Sequence, residues 1–235
     1  DKIGKDFSYN IGINISTLRN RVKDLGDNKI IRGGKTVNIV GKEMNSFYGF
    51  KMIGVYQTDE EIAADPIAVA NGCVPGDLKY ADLDGNKVLD GNDRTTLGSY
   101  IPNFTYGINL GLNYKDHECQ LTNYGQTGAH RYSSQNYNFD RAQYEDRWTG
   151  PGSTNSNPSA AALLKPWNVS DQKYSSYFVE SADFFRIQNI TLGYTFRNLK
   201  LGNYIMPGIR LSLTADRPFT TFKANSFSPE LSDSE

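Results

Sequence analysis

The sequence is short of the residues that do most enzyme chemistry. It has two histidines, His117 and His130, and two cysteines, Cys73 and Cys119, in 235 residues. No HExxH, GxSxG or phosphate-binding glycine loop occurs. The cysteines form neither a CxxC nor a zinc-type spacing, and nothing in the sequence requires a bridge between them. Acids are plentiful, but no pattern holds two carboxylates the roughly 5–9 Å apart that glycoside hydrolysis uses. The chain is therefore read as no enzyme. Charge of one sign is missing too: 25 basic and 26 acidic residues leave a net charge of -1. No field draws it to nucleic acid, and the lone Arg-Gly-Gly at 32–34 reads as a turn. No run of about 18 apolar residues exists, and mean hydropathy is -0.55, so no transmembrane helix is expected. A membrane barrel stays open, because its lumen face and loops are polar. The first residues, DKIGKDFSYN, lack the apolar centre of a signal peptide, so an exported protein is expected to be a mature or partial chain.

What the chain has is alternation. Over 103–114, Phe104, Tyr106, Ile108, Leu110, Leu112 and Tyr114 alternate with Asn103, Thr105, Gly107, Asn109, Gly111 and Asn113. Period two places the two sets on opposite faces of a strand. At about 3.4 Å per residue this strand reaches roughly 40 Å, and tilted by about 40° it crosses an apolar band of about 25 Å. The same chemistry recurs at 7–18, where Phe7, Tyr9, Ile11, Ile13 and Ile15 alternate with Ser, Asn and Gly. Further strands are predicted near 117–125, 184–196 and 208–217, with a bulge where the phase shifts at Gln188-Asn189 and Pro218 ending the last ladder. A capped helical start is predicted at Thr58–Ile62, with Glu61 at the capping-box position.

The connections alternate as well. Short ones fall at 1–6, 115–116 and 197–207, and long polar ones at 19–102 and 126–180. Membrane barrels have short turns at one end and long outer loops at the other, whereas compact soluble domains rarely carry loops beyond about 15 residues. The expected fold is all-β: part of a large antiparallel transmembrane β-barrel, with about five strands present. Five strands do not close, since barrels of this class need about eight or more and an open edge in lipid leaves backbone groups unsatisfied.

Two candidate sites stand out. The stretch from Asp82 to Asp93 places oxygen ligands at loop positions one, three, five, nine and twelve, namely Asp82, Asp84, Asn86, Asp90 and Asp93. Val88 falls at position seven, where a backbone carbonyl serves. This spacing wraps hard oxygens around one point and suits a structural Ca2+, although Lys87 stands where glycine is expected for the turn. The second set is aromatic: Trp148, Trp167, Tyr132 and Tyr137 lie in the long loop 126–180 and are candidates for stacking on a substrate, or alternatively for anchoring the loop.

The residues carry a family resemblance. GDLKYADLDGNKVLDGNDRTTLGSYIPNFTYGINLGLNYK resembles the C-terminal barrel region of SusC/RagA-type TonB-dependent outer-membrane transporters. So do SFYGFKMIGVYQTDEEI at 46–62, DRWT at 146–149, YFVESADFFRIQNITLGYTF at 177–196 and IRLSLTADRPFTTFKANSFSPE at 209–230. The resemblance implies a barrel of about 22 strands with an N-terminal plug. It implies import of oligosaccharides or peptides across the outer membrane with energy from the TonB complex. A SusD-like surface lipoprotein is the implied lid over the outer loops. The plug, the TonB-contacting segment and the final strand are expected to be absent from this stretch. Asp216-Arg217-Pro218-Phe219 departs from the family's pattern and puts the local ladder in doubt. The alternative is a soluble, calcium-stabilised β-sheet module that binds carbohydrate or acts as an adhesin.

Overall fold

The computed structural model describes residues 2–3, 6–133, 144–168, 174–202 and 204–224. Strands β1 (Lys2–Ile3), β2 (Phe7–Thr17), β3 (Ile30–Gly33), β4 (Thr36–Ile39), β5 (Ser46–Phe50) and β6 (Met52–Val55) come first. Two short helices follow, α1 (Asp59–Ala63) and α2 (Pro66–Ala70). Then come β7 (Leu78–Tyr80), β8 (Arg94–Ser99), β9 (Phe104–Tyr114), β10 (His117–Thr127) and β11 (His130–Tyr132). The chain continues through β12 (Val179–Ser181), β13 (Phe184–Leu201) and β14 (Tyr204–Phe222). It divides into two compact units, one built from 1–18, 102–128 and 183–222, the other from 19–101, 129–182 and 223–235.

The first unit is an antiparallel sheet of order β1-β2-β9-β10-β13-β14. Its register converts the alternation of each strand into continuous rows across the sheet. Ile11, Leu110, Leu121, Ile190 and Ala215 make one row, and Tyr9, Leu112, Cys119, Leu192 and Leu213 the next. Among the described residues no layer packs over these side chains: Ile11 is 55% exposed and Leu213 74%. A soluble sheet buries such a face, and a sheet in a bilayer does not. The opposite face carries Asn10, Gly12, Asn14, Asn109, Gly111, Gln120 and Thr122 in register. There Glu118 takes two hydrogen bonds from Arg210, at 2.7 and 3.1 Å, over the bare Cα of Gly193.

Aromatic residues bound the apolar face at both ends. One row is Phe7, Tyr114, His117 and Tyr194, and the other is Tyr106 with Phe185, flanked by Phe104. From Tyr106 to Tyr114 is about 27 Å of strand, or roughly 21 Å of membrane normal at a tilt of about 40°. Such girdles are where rings with one wet and one apolar side settle. Within the band, Asn123 sits among Ile108, Ile187 and Ile13, and its Oδ1 accepts from the Ile108 N–H at 3.1 Å.

The strands depart from expectation at the C-terminal hairpin. The connection expected at 197–207 is mostly ladder, with a turn at Gly202, and β14 runs on to Phe222. Pro218 does not end it. The register shifts between Ile187 and Asn189, facing Phe219 and Asp216, so Arg217 and Pro218 lie opposite the single residue Gln188 in a bulge. Arg217 adopts φ 49°, the left-handed geometry that lets the extra residue fit. A proline there removes no ladder hydrogen bond. Pro207 is likewise absent from the register pairs, facing Asn198 at φ 52°.

Both long connections leave the sheet at the end marked by Thr17, Phe104, Thr127 and Phe184, while the turn at 115–116 and that at Gly202 lie at the other end. The long connections are not irregular. Together they build the second unit, with sheets β3-β4-β5-β8, β6-β7 and β11-β12. Its core is Phe47, Phe50, Val55, Leu78, Tyr80, Tyr132, Tyr177 and Phe178. Helix α1 is capped by Thr58, whose Oγ1 accepts from Glu61 N–H at 3.2 Å, but the expected capping box is not closed: the Glu61 carboxylate reaches past Thr58 and accepts from Gln57 N–H at 2.8 Å. A buried polar clamp ties the two connections together. Asn168 accepts from Leu78 N–H at 2.7 Å and donates to Ala162 O at 2.8 Å and Asp77 Oδ1 at 3.1 Å. Lys165 completes the clamp against Asp77 at 2.9 Å.

The close fit of Tyr106 over Gly125 yields a test of the barrel wall. A Cβ on Gly125 would lie 2.4 Å from the Tyr106 ring and 2.9 Å from Phe184 O. Gly125→Val is expected to destabilise the wall by about 1–3 kcal/mol. Heat-modifiable gel mobility of the full-length protein should then shift at a lower temperature than in the wild type.

Candidate functional site

The acidic loop lies in the second unit, between β7 and β8. Its fold follows from side-chain carboxylates collecting backbone N–H groups. Asp82 accepts from Gly85 N–H at 2.8 Å and Lys87 N–H at 2.9 Å. Asp84 accepts from Asn86 N–H at 3.1 Å, and Asn86 Oδ1 from Val88 N–H at 2.7 Å. Asp90 caps a short 3-10 turn at Gly91–Asp93 through Asn92 N–H at 2.7 Å. Asp93 is fully buried and holds the loop's two ends, accepting from Leu83 N–H and Asp90 N–H, both at 2.8 Å.

The outcome is convergence. One ligand oxygen from each of Asp82, Asp84 and Asp93 falls within 4.8 Å of the others. Asp90 is turned to its capping role, and the Val88 side chain points to solvent, 57% exposed. Lys87 takes φ 64° at the position where glycine is expected. A non-glycine residue held there costs about 1 kcal/mol, so the loop accepts strain to bring its acids together. The Lys87 N–H holds the Asp82 carboxyl below the usual carboxylate range, helped by the Gly85 N–H. Three carboxylates this close repel one another, and hard oxygens so placed suit a divalent cation.

The aromatic candidates go elsewhere. Tyr132 is buried among Phe47, Phe178 and Tyr174, beneath the Lys35 ammonium at 4.0 Å. It is a core residue, which corrects its expected role as a substrate platform: the alternation that β11 provides turns it inward. Trp167 packs edge-on to Tyr80 and donates from Nε1 to Leu78 O at 2.8 Å. Trp148 leans on the same core and donates from Nε1 to Gln57 Oε1 at 3.1 Å. Both indoles anchor the segment 146–168, and the structure does not bring them together with Tyr132 on an open face. Tyr137 lies outside the described residues. Cys73 is buried in a satellite core with Tyr56, Ile62 and Ala68, and no disulfide joins it to Cys119.

Sequence reasoning missed Gln57 as an organiser. Its Oε1 takes Trp148 Nε1 and Gly152 N–H, and its Nε2 donates to Val55 O and Thr154 O. Partners some 90 residues apart leave no local signal. It also missed an open polar cleft of about 590 Å3 between β6, the 155–157 segment and β12.

An antiparallel wall with an uncovered apolar face, two aromatic girdles and long connections at one end defines an outer-membrane β-barrel. Comparison with known proteins narrows this to a type. No family model matches the chain. It is 28% identical over 246 residues to the TonB-dependent receptor SusC of Bacteroides thetaiotaomicron, covering 97% of this chain and 23% of that one. It is 26% identical over 221 residues to the TonB-dependent receptor P26 of Formosa agariphila, covering 87% of this chain and 21% of the relative. Its structure superposes on the RagAB peptide importer in the closed-closed state with TM-score 0.67 at 19% identity, over 97% of this chain and 25% of that one. Over most of its length the chain is similar to TonB-dependent receptors, and its fold is that of a stretch of outer-membrane β-barrel wall. It spans about a fifth to a quarter of the length of the relatives it matches.

The anchoring of the indoles is open to measurement. Trp167→Ala removes a ring packed on Tyr80 and leaves Leu78 O without its donor. The expected cost is about 3–5 kcal/mol to the second unit. Limited proteolysis of the full-length protein should show earlier cleavage within 129–182.

Proposed function

We propose that this chain is the outer part of an active importer that moves oligosaccharides or peptides across the outer membrane. In this reading TonB supplies the energy, and a SusD-like lipoprotein closes over the outer loops. The observation that carries it is a lipid-facing wall whose long connections all leave it at one end and make up most of a second folded unit. Similarity to SusC and to other TonB-dependent receptors supports the same reading. A soluble calcium-stabilised module has no use for an apolar face bounded by two aromatic rows. Deleting the gene should abolish growth on one class of polymer or peptide, and restoring it should rescue growth only while TonB is present. Rescue without TonB would overturn the reading.

The acidic loop is proposed to bind Ca2+ as a structural ion, through Asp82, Asp84 and Asp93 with Asn86, the Val88 carbonyl and Asp90 as the further oxygens of the loop. What supports this is the convergence of three carboxylates on a strained turn. The ion would neutralise their repulsion and hold the entry to β8 in shape. Calorimetry on the full-length protein is expected to show binding that Asp82→Ala abolishes and Lys87→Gly strengthens, by up to about 1 kcal/mol of relieved strain. The Asp82 pKa is lowered on folding, so its contribution to loop stability is present above the unfolded value near 3.8 and is lost as pH falls through the folded one. Both the loop and its calcium binding should therefore hold at pH 7 and fail on strong acidification.

A further inference from the structure

The alternation of β2 does not stop where the strand does. Phe7, Tyr9, Ile11, Ile13 and Ile15 share its apolar face, and Thr17, Arg19, Arg21 and Lys23 continue the same parity. Leu18 N–H still bonds to Asn103 O at 3.0 Å, so the chain leaves the ladder only just before Arg19. Beyond that point the segment is held. Val22 N–H donates to Lys42 O at 2.9 Å, Gly41 N–H to Val22 O at 2.8 Å, and Met44 N–H to Asn20 Oδ1 at 2.7 Å. Asn20 and Val22 are half-buried, while Arg19, Arg21, Lys23 and Lys42 are exposed. Residues 19–43 carry seven Lys and Arg against three Asp and Glu, in a chain of net charge -1. Of the three acids, Asp24 is turned to its own loop, its Oδ1 accepting from Gly26 N–H at 3.0 Å. Among the described residues neither Asp27 nor Glu43 forms an ion pair with Arg19, Arg21, Lys23 or Lys42. Leu18, Val40 and Met44, each within two residues of these cations, are about half-exposed.

We propose that Arg19, Arg21, Lys23 and Lys42 bind the phosphate groups of the outer-leaflet glycolipid, the lipopolysaccharide around the barrel. This goes beyond the transport reading and holds whatever substrate is carried. Long connections mark the outer end of a barrel wall. At that end the row changes from isoleucine to cation. Arg19 follows Thr17, the last residue of β2, by about 7 Å of chain, close to the thickness of one headgroup layer. Arg and Lys lay their apolar stems along hydrocarbon and keep their charged heads at the interface. A guanidinium also matches phosphate oxygens with two parallel hydrogen bonds. A lipid offers acyl chain and phosphate together, which fits the exposed Leu18, Val40 and Met44 next to the cations.

The test uses the full-length protein in detergent and follows retention of purified lipid A by native mass spectrometry. The wild type is expected to retain lipid A, and to release it once its phosphates are removed. Arg19→Gln, Arg21→Gln and Lys23→Gln combined should weaken retention roughly a hundredfold, at about fivefold per cation. Arg19→Lys with Arg21→Lys keeps the charge and should cost less than about tenfold. Unchanged heat-modifiable mobility shows that each variant is folded. Raising the ionic strength should loosen retention by the wild type, a readout that needs no variant. Inorganic phosphate at matched concentration should not displace lipid A, which separates a lipid site from a site for the free ion. Retention untouched by the triple variant, equal retention of dephosphorylated lipid A, or retention indifferent to salt would each overturn the proposal. So would displacement of lipid A by inorganic phosphate, or a triple variant that loses an acidic partner protein and keeps its lipid A.

Discussion

Backbone hydrogen bonding in lipid is the constraint on which this structure depends. In hydrocarbon, an N–H or C=O without a partner costs several kcal/mol, so a wall that crosses it must pair every strand with its neighbours. The run of antiparallel registers from β2 to β14 does this, and it also turns each strand's alternation into a face. Rows of Ile and Leu meet lipid, and rows of Asn, Gly and Thr meet the opposite side. The exceptions obey the same constraint. Both prolines of β14 fall where no ladder bond is needed, and Asn123, set in the apolar band, takes up a backbone N–H.

Freed from lipid, the long connections solve a different problem. Each is too polar and too interrupted by glycine and proline to form a core by itself. The structure pools them: Phe47, Phe50, Val55, Leu78 and Tyr80 come from one, Tyr132, Tyr177 and Phe178 from the other. Polar ties then hold the halves in place, with Asn168 and Trp167 gripping Leu78 and with Trp148 and Thr154 gripping Gln57. The two tryptophans are spent on this joint. What is left open is a polar cleft between β6, the 155–157 segment and β12.

Much of this was legible in the sequence. Alternation over a strand is local, so the positions and faces of β2 and β9 follow from residue order, as does the bulge near Gln188 from its phase shift. The acid spacing of Asp82 to Asp93 is local too, and its convergence follows from carboxylates capturing nearby N–H groups. The N-cap that Thr58 gives to Glu61 N–H belongs to the same kind. Tertiary structure alone decided the rest. Whether Tyr132 and the two indoles face solvent or a core depends on partners some 40 to 90 residues away, which no window along the chain contains. The length of β14 depended on Arg217 entering a left-handed conformation opposite Gln188, a pairing that exists only once the strands are in register. The cleft depended on two connections, each polar and unremarkable alone, closing around one shared core.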